Sequence, residues 1–511
     1  MIERRIIIGL VTSTEYVQKM RKKFNLHIFQ SNTARRIATW CIEYYDKYNK
    51  APGELIEDIF YEKAKAKNFP KDVAEEIEED ILPSLSEEYL ENSLNIDYLI
   101  DETNKYLIER ALLQHSDTIK ALVESGEIVE AEKQAASFNA IPEDTNAWVD
   151  LSDDVVLDKI AQAFEESDTP LIRYSGALGE MLNAQLCRGK FVAFLAPEKR
   201  GKTFFLLELA MRAAKKDKNV VFFQAGDMTE SEQLLRIATY LTKKSHRKKF
   251  IGEMYEPVVD CIHNQLNTCD KDDRMCSFGI FSDKTEAELR EITAKELREA
   301  YDEEPDYEPC KCCKEFKTHA WGTPWLTKIN IEKPMTKDEA QQAVADYFIK
   351  NKRRFKLSSH ANGTLSLREM RSILEIFKRE DNFTPDVIVI DYADILTDDT
   401  KEFRHKQNSI WMGLRSMSQE YKALVITATQ ADAASYKKDT LSLENYSEDK
   451  RKYGHVTSMF GLNQDKDKRE KEIGIIRINE LTLRDSDFHY LGQVSVLGNL
   501  RRGRPYLDSY F

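Results

Sequence analysis

Gly189 to Thr203 reads GKFVAFLAPEKRGKT: an apolar run, a short polar loop and a Gly-Lys-Thr triplet. The apolar run is typical of a buried β-strand, and the following TFFLLELAMRAA has the apolar spacing of an amphipathic helix. In a strand–loop–helix of this kind, backbone N–H groups and the helix N-terminus converge on phosphate oxygens. The stretch therefore predicts a nucleotide site.

Further along the chain, three apolar runs have the same strand character. NVVFFQAGD (219–227), PDVIVIDYADIL (385–396) and ALVITATQAD (423–432) are rich in Val, Ile and Phe and are separated by helical patterns. Such runs are typical of buried parallel strands. The tail adds candidate strands in IGIIRINEL (473–481) and in 490–508. We therefore predict an α/β fold with a parallel sheet.

The beginning of the chain has a different pattern. Apolar residues recur at three- and four-residue spacing and strand signals are nearly absent, which predicts an all-helical N-terminal domain, 1–140. Pro, Asp, Asn and Ser residues then predict a linker, 141–175, ahead of the α/β domain, 176–511. Polar residues from about 244 to 334 interrupt the α/β pattern, and we interpret them as an insertion.

Composition limits the partners and the compartment. The formal net charge is −13, so any contact with nucleic acid must come from local basic patches. The apolar run in MIERRIIIGLVTSTEYV is too short to span a bilayer, and no small-residue cleavage site follows it. We expect a cytoplasmic protein, or one in a host cytoplasm if the source is viral.

Each part of the polar loop has an expected role. Lys202 reaches the outer phosphates, and the Thr203 hydroxyl ligates magnesium. Ala196 stands where such loops usually open with glycine. Lys199 also occupies a position that is commonly glycine, so both residues carry a Cβ where glycine is easiest. The predicted nucleotide-binding residues of the loop are Ala196, Pro197, Glu198, Lys199, Arg200, Gly201, Lys202, Thr203 and Phe204.

Three polar residues at strand ends complete the predicted site. Asp391 closes VIVID, at the end of a strand where open α/β sheets place their ligands, so we expect it to hold magnesium through water. Asp227 follows VVFFQAG and can polarise the attacking water. Its alternative role is the N-cap of the next helix, for which Thr229 fits better. Gln430 ends ITATQ, where an amide can sense the terminal phosphate.

Taken in order, these segments resemble the DnaB-type replicative helicases, which have an all-helical N-terminal domain, a linker helix and a RecA-like motor. LIRYSGALGEMLNAQLCRGKFVAFLAPEKRGKT, VVFFQAGDMTESEQLLRIA, SSHANGTLSLREMRSILEIFKRE with PDVIVIDYADIL, and ALVITATQAD each resemble a segment of that motor. The resemblance covers most of the chain. That family usually has glutamate where Asp227 stands, and the shorter side chain implies slower hydrolysis.

The resemblance implies a function as well as a fold. It implies a ring of six subunits that hydrolyses ATP with magnesium, moves along single-stranded DNA from five-prime to three-prime, and unwinds forked DNA. A primase or a helicase loader is a further candidate partner. VLGNLRRGRPYLD resembles the family's arginine-finger strand. Arg501 takes the finger position when the segment is aligned on Gly503, and Arg502 is the near alternative. The finger serves the nucleotide site of the neighbouring subunit and stabilises charge on the transferred phosphoryl group.

The loops that hold DNA in that family correspond to TDDTKEFRHKQNS and ADAASYKKDTLSLENYSEDKRKYG. Basic side chains there can contact phosphates independently of base sequence. Taken singly, each is also an ordinary surface charge. The candidate DNA contacts are Lys437, Lys438, Lys450, Arg451 and Lys452.

Cysteines crowd into the insertion at positions 269, 276, 310, 312 and 313. The spacing of Cys310 and Cys313 lets two thiolates bind one zinc ion from a tight turn, and Cys269 with Cys276 can supply the other pair. His263 and His319 are possible substitutes, and a set of reduced free thiols is the alternative. The role of such a site stays open: the insertion could contact DNA, a loader or a primase, or zinc could only staple a polar insertion that is too small to bury a core.

Two other functions remain open at this point. A RecA-like filament that pairs DNA strands would use the same motor fold, although the helical N-terminal domain argues against it. A scaffold that binds nucleotide only to organise a ring would explain the departures at Asp227 and Ala196. Unwinding of forked DNA separates these functions from a helicase.

Overall fold

The computed structural model describes residues 2–21, 29–65, 69, 71–78, 82, 95–136, 151, 155–167, 169–310, 312, 321–398, 403–432, 435, 438–442, 450–465, 469–484 and 492–511. The chain divides into two compact units, Met1–Val156 and Leu157–Phe511. Their boundary falls inside the segment 141–175 that the sequence predicts as a linker.

The regular secondary structure described in the first unit is helical. Apolar residues at helical spacing bury one face of each long helix: in the third helix, Ile37, Trp40 and Cys41 are at most 7% exposed. Ser31 caps that helix by accepting a hydrogen bond from the Ala34 N–H at 3.1 Å. The helices are α1 (Ile2–Thr12), α2 (Thr14–Met20), α3 (Asn32–Tyr48), α4 (Leu55–Ala64), α5 (Lys71–Glu76), α6 (Ile96–Glu124) and α7 (Ile128–Ala136).

The second unit is built on one nine-stranded sheet. Its strands are β1 (Phe191–Ala196), β2 (Val220–Gln224), β5 (Phe355–Ser359), β6 (Val387–Asp391), β7 (Leu424–Gln430), β8 (Ser458–Asn463), β9 (Ile475–Leu483), β10 (Gln493–Asn499) and β11 (Arg504–Tyr510). They lie in the order β11-β10-β9-β8-β1-β7-β6-β2-β5. The six strands from β8 to β5 are parallel, and β9, β10 and β11 extend the sheet in antiparallel fashion.

Helices cover both faces of this sheet. Successive residues of β1 face opposite layers: Phe194 packs with Phe205 of a helix on one face, and Phe191 packs with Trp411 of a helix on the other. The remaining helices of the chain, not all of which pack on the sheet, are α8 (Val155–Ser167), which begins at the boundary between the units, α9 (Gly176–Leu182), α10 (Lys202–Lys215), α11 (Glu230–Thr242), α12 (Ile262–Gln265), α13 (Glu286–Arg290), α14 (Ala294–Glu303), α15 (Lys337–Val344), α16 (Leu367–Asp381), α17 (Phe403–Glu420) and α18 (Arg469–Ile473). The predicted α/β fold is confirmed, and the sheet agrees with the RecA-like motor that the resemblance implies.

The predicted insertion contains its own antiparallel strand pair, β3 (Gly252–Cys261) and β4 (Gly322–Ile331). Trp325 of β4 is fully buried in a hydrophobic cluster that also takes in Leu497 and Tyr510 of the main sheet. The segment thus buries its apolar side chains against the antiparallel end of the sheet rather than in a core of its own. None of the described helices is both long and apolar enough to cross a membrane.

Candidate nucleotide-binding site

The predicted site residues meet at one edge of the sheet. Parallel pairing brings the carboxyl ends of the strands together, and it sets Ala196 of β1 opposite Gln430 of β7, and Asp391 of β6 opposite Gln224 of β2. A cavity of about 720 Å³ lies beyond this edge. The predicted residues that line it are Glu198, Lys199, Gly201, Lys202, Thr203, Phe204, Asp227, Gln430 and Arg501.

The loop after β1 contains two residues with left-handed backbone, one of which carries a conformational cost. Gly201, immediately before α10, has a left-handed φ of 89°. Lys199 also has a positive φ, 60°, as the sequence predicts from its place at a usual glycine position. A non-glycine residue pays about 1 kcal/mol for this conformation. Ala196 ends β1 in extended backbone and is fully buried, so alanine fits there without such a cost.

Lys202, Thr203 and Asp391 form a connected group at the start of α10. The Lys202 ammonium donates to the carbonyl oxygen of Ala196 at 3.1 Å, and burial lowers its pKa. The Thr203 hydroxyl donates to Asp391 Oδ1 at 3.2 Å. Burial raises the pKa of Asp391 to about 6, and the hydrogen bond from Thr203 opposes this shift.

Asp391 also offers a ligand position for a cation. Its side chain is 1% exposed, and Oδ2 is buried without a hydrogen-bond partner among the described residues. Carboxylate and hydroxyl oxygens are the ligands that Mg²⁺ prefers, and an unsatisfied buried carboxylate oxygen is costly unless something compensates it. The residues present therefore fit the predicted magnesium.

Asp227 and Gln430 approach the cavity from different sides. Asp227 is exposed at the cavity wall. Thr229, and not Asp227, caps the next helix. The Thr229 hydroxyl accepts from the Glu232 N–H at 3.3 Å, and the Glu232 carboxylate accepts from the Thr229 N–H at 3.0 Å. The Gln430 amide donates to Glu198 Oε1 in the phosphate-binding loop at 2.8 Å. An amide at the end of β7 thus contacts the loop directly.

The sequence reasoning missed Arg236, which also lines the cavity. Its guanidinium lies 4.4 Å from the ring centroid of Phe204. Burial lowers its pKa, while the carboxylates of Asp391 and Asp227 favour the charged form. One signal was available: Glu232, Arg236 and Thr239 lie on one face of α11, and that helix begins just after the predicted catalytic acid.

The two arginines of the β10–β11 turn differ in position. Arg501 is exposed and lines the cavity of its own chain. Arg502, named as the alternative finger, is turned away from the cavity because its guanidinium pairs with Glu256 at 2.7 Å.

Arg200 of the loop after β1 is also turned away from the cavity. It is 6% exposed and donates to Gln464 and to the carbonyl oxygen of Asp465.

The predicted DNA contacts are only partly described. Lys438 is exposed. Lys437 lies outside the described residues, as do the side chains of Lys450 and Arg451. Lys452 is buried, with its side chain 1% exposed, and its ammonium pairs with Asp394 at 2.7 Å. The prediction that Lys452 contacts DNA is therefore corrected: in this structure its charge is balanced inside the protein.

The predicted zinc site finds no support in the described part of the insertion. Cys276 and Cys310 are buried, Cys269 is half-buried, and Cys313 and His319 lie outside the described residues. Among the side chains that are described, no three His, Cys, Asp or Glu residues converge as metal ligands would. Hydrogen bonds organise this corner instead, since the carboxylate of buried Asp260 accepts from Tyr307 and from the Cys310 N–H, each at 2.7 Å.

A scan against models of protein families finds no match for the chain. A search of curated proteins finds no match either. Among solved structures, the chain is similar to "The Structure Of A DnaB-Like Replicative Helicase And Its Interactions With Primase", with 15% identity and a TM-score of 0.47 over 99% of each chain. It is also similar to a second solved structure, described as an ATPase domain, with 16% identity and a TM-score of 0.45 over 70% of this chain and 100% of that one. The first is the kind of protein that the sequence motifs resemble, but identities and TM-scores this low assign no activity to this chain.

Proposed function

We propose that this chain is an ATP-dependent replicative DNA helicase that works as a ring and moves along single-stranded DNA from five-prime to three-prime. The observation that carries the proposal is the cavity at the sheet edge, where Lys202, Thr203, Asp227, Gln430 and Arg501 are all present. The hydrolase part rests on that geometry. The DNA part rests on the resemblance of the sequence motifs to DnaB-type helicases.

In the proposed reaction, each polar residue has one task. Lys202 exchanges its bond to the Ala196 carbonyl for the outer phosphate oxygens of ATP. Asp227 accepts a proton from the attacking water. Arg501 stabilises the charge that develops on the transferred phosphoryl group. Gln430 exchanges its bond to Glu198 for the terminal phosphate and so reports hydrolysis to the chain after β7.

Thr203 and Asp391 would hold Mg²⁺, directly and through water respectively. When bound, this ion neutralises charge on the phosphates. Arg236 adds a second positive charge at this cavity, where Asp391 and Asp227 favour its charged form.

A ring requires a surface that binds a second copy, and α8 offers one. Leu157 and Ile160 lie three residues apart and are 65% and 49% exposed, and Phe164 on the same side is 71% exposed. Apolar side chains grouped on one helix face are typical of an interaction site. We propose that this face packs on the next subunit of the ring.

Unwinding of a forked DNA substrate tests the proposal. We expect the purified protein to separate the strands only with ATP and Mg²⁺, and its ATPase to rise with single-stranded DNA. Lys202→Ala should abolish both activities, because outer phosphates lose their ammonium partner. Wild-type protein that binds ATP but shows neither DNA-stimulated hydrolysis nor strand separation would refute the helicase assignment.

That result would favour a second candidate function, a scaffold in which bound nucleotide organises the ring but drives no movement along DNA. Two observations keep it under consideration: Lys199 holds a left-handed conformation in the phosphate-binding loop, and the acid at position 227 is the shorter aspartate. Closed rings in electron microscopy combined with absent hydrolysis would identify the scaffold. Open filaments on DNA would instead indicate a RecA-like recombinase.

A further inference from the structure

The β10–β11 turn, Leu500–Arg502, is held by the insertion. Glu256 of β3 accepts a hydrogen bond from the Arg502 guanidinium at 2.7 Å and another from the Asn499 amide at 3.2 Å. The two charged side chains are only 13% and 18% exposed. A single carboxylate of the insertion thus binds the residues on both sides of Arg501.

The other sides of the turn are also fixed. Arg502 Nε donates to the carbonyl oxygen of Lys243, the residue that follows α11, at 3.2 Å. Gly503 has a φ of 64°, and a Cβ there would lie 2.7 Å from the backbone nitrogen of Tyr240. The turn is therefore wedged between α11 and β3, and its Leu500 side chain reaches the position next to Gly201 of the phosphate-binding loop.

Arg501 has a different environment from its neighbours. It is exposed and faces the nucleotide cavity, whereas Arg502 and Asn499 are tied to Glu256. Its long side chain has several rotatable bonds, so the backbone of the turn determines which phosphate oxygens the guanidinium can reach. A shift of about 1 Å in a positioning contact can reduce catalysis up to about 100-fold.

We propose that the insertion positions the arginine of the proposed ATPase site, with Glu256 as the positioning residue. This gives the insertion a role in hydrolysis that needs no metal and no additional partner. The inference rests on the proposed function, because Arg501 must act on a phosphoryl group. It holds whether Arg501 serves its own cavity or that of a neighbouring copy.

The test is Glu256→Gln in the full chain, which keeps the shape of the side chain and removes its charge. We expect kcat for ATP hydrolysis to fall about 10-fold, with the KM for ATP changed less than about 2-fold, because Arg501 acts on the transition state. Glu253→Gln is the matched control. It removes a carboxylate from the same strand that pairs with Lys328 at 2.7 Å on the exposed side, and it should leave kcat unchanged.

A double-mutant cycle separates positioning from general destabilisation. If Glu256 acts through Arg501, Glu256→Gln combined with Arg501→Ala should be no slower than Arg501→Ala alone. Wild-type kcat for Glu256→Gln, or a multiplicative loss in the double variant, would overturn the inference. If the Glu256→Gln protein does not fold, the double variant Glu256→Arg with Arg502→Glu, which reverses both charges, takes its place. A folded double variant with wild-type kcat supports the inference. A folded double variant whose kcat stays low overturns it.

These outcomes do not depend on the helicase assignment. If wild-type protein hydrolyses ATP and Lys202→Ala does not, the proposed ATPase site stands whatever Glu256→Gln does. If wild-type protein fails to hydrolyse ATP, the proposed function itself fails, and the inference fails with it.

Discussion

Replacing Lys452 by methionine distinguishes a buried ion pair from a DNA contact. The Lys452 ammonium lies 2.7 Å from Asp394, and the two side chains are 1% and 9% exposed. Asp394 also accepts from the Thr429 hydroxyl at 2.8 Å and from the Gln430 N–H at 2.9 Å. Methionine keeps most of the length of lysine and removes the charge, so it leaves a buried carboxylate without its cation.

The size of the effect follows from these contacts. Removing one partner of a buried ion pair costs about 3–5 kcal/mol, because the other charge remains buried. Asp394 keeps two hydrogen-bond donors after Lys452→Met, which places the loss of unfolding free energy near the lower limit, about 3 kcal/mol. For a unit of roughly 350 residues this corresponds to a Tm lowered by about 4 °C.

Two measurements check the reasoning: thermal unfolding, and the salt dependence of binding to single-stranded DNA. A lysine that contacts a phosphate contributes about 0.7 to the slope of log K against log salt. We expect Lys452→Met to lower Tm and leave that slope unchanged. Lys438→Met, at an exposed position in the same connection, is the matched control and should lower Tm less than Lys452→Met does. An unaltered Tm for Lys452→Met together with a slope reduced by about 0.7 would refute the burial argument.

Three further predictions concern the site and the ring. In a 1:1 mixture of Lys202→Ala and Arg501→Ala chains, about a quarter of the wild-type ATPase activity should return if the arginine acts in the neighbouring site. The reason is that a quarter of randomly formed interfaces combine an intact lysine with an intact arginine. No recovery of activity indicates that the arginine acts within one chain. The hydrolysis rate should fall as pH is lowered through about 6, because protonated Asp391 no longer attracts Mg²⁺. A higher Mg²⁺ concentration should move the midpoint of this fall to lower pH. A midpoint that does not change with Mg²⁺ concentration contradicts this role of Asp391. Leu157→Asp with Ile160→Asp should reduce ring assembly in sedimentation without lowering Tm, because both side chains are exposed in the single chain.

The sequence predicted the central strands well because they are buried on both faces. β1, β2 and β6 consist almost entirely of apolar residues, and β6 and β7 end in the polar groups Asp391 and Gln430 at the site. β5 and β8 were not predicted. β5 is an edge strand of half-buried residues, and β8 buries polar groups such as Asn463, whose amide donates to Asn479 at 2.7 Å.

The role of a site residue was predictable where it follows from a local sequence motif. It was not predictable where it depends on a partner that is distant in the sequence. Thr203 and Asp391 were identified from strand ends and loop spacing, and the structure brings them into contact. Lys452 was predicted to contact DNA because its partner, Asp394, lies 58 residues earlier in the chain and no local pattern indicates the pair. Arg502 was a candidate finger for the same reason, since its partner Glu256 is 246 residues away. No local pattern reveals such pairs.

The Lys452 pair also connects the two parts of the proposed mechanism. Asp394 accepts from the backbone N–H of Gln430, and the Gln430 side chain donates to Glu198 of the phosphate-binding loop. A short series of contacts therefore runs from the nucleotide cavity to the segment between β7 and β8, where the sequence predicts DNA contacts. Contact alone is not coupling, since an energetic link requires two states that both ligands bias. The Gln430 side chain can leave Glu198 by rotation, while Asp394 continues to hold the backbone N–H of the same residue. A link to the segment after β7 would therefore require a second state of the strand end itself, and the buried pair of Lys452 with Asp394 opposes such a state because its loss is costly.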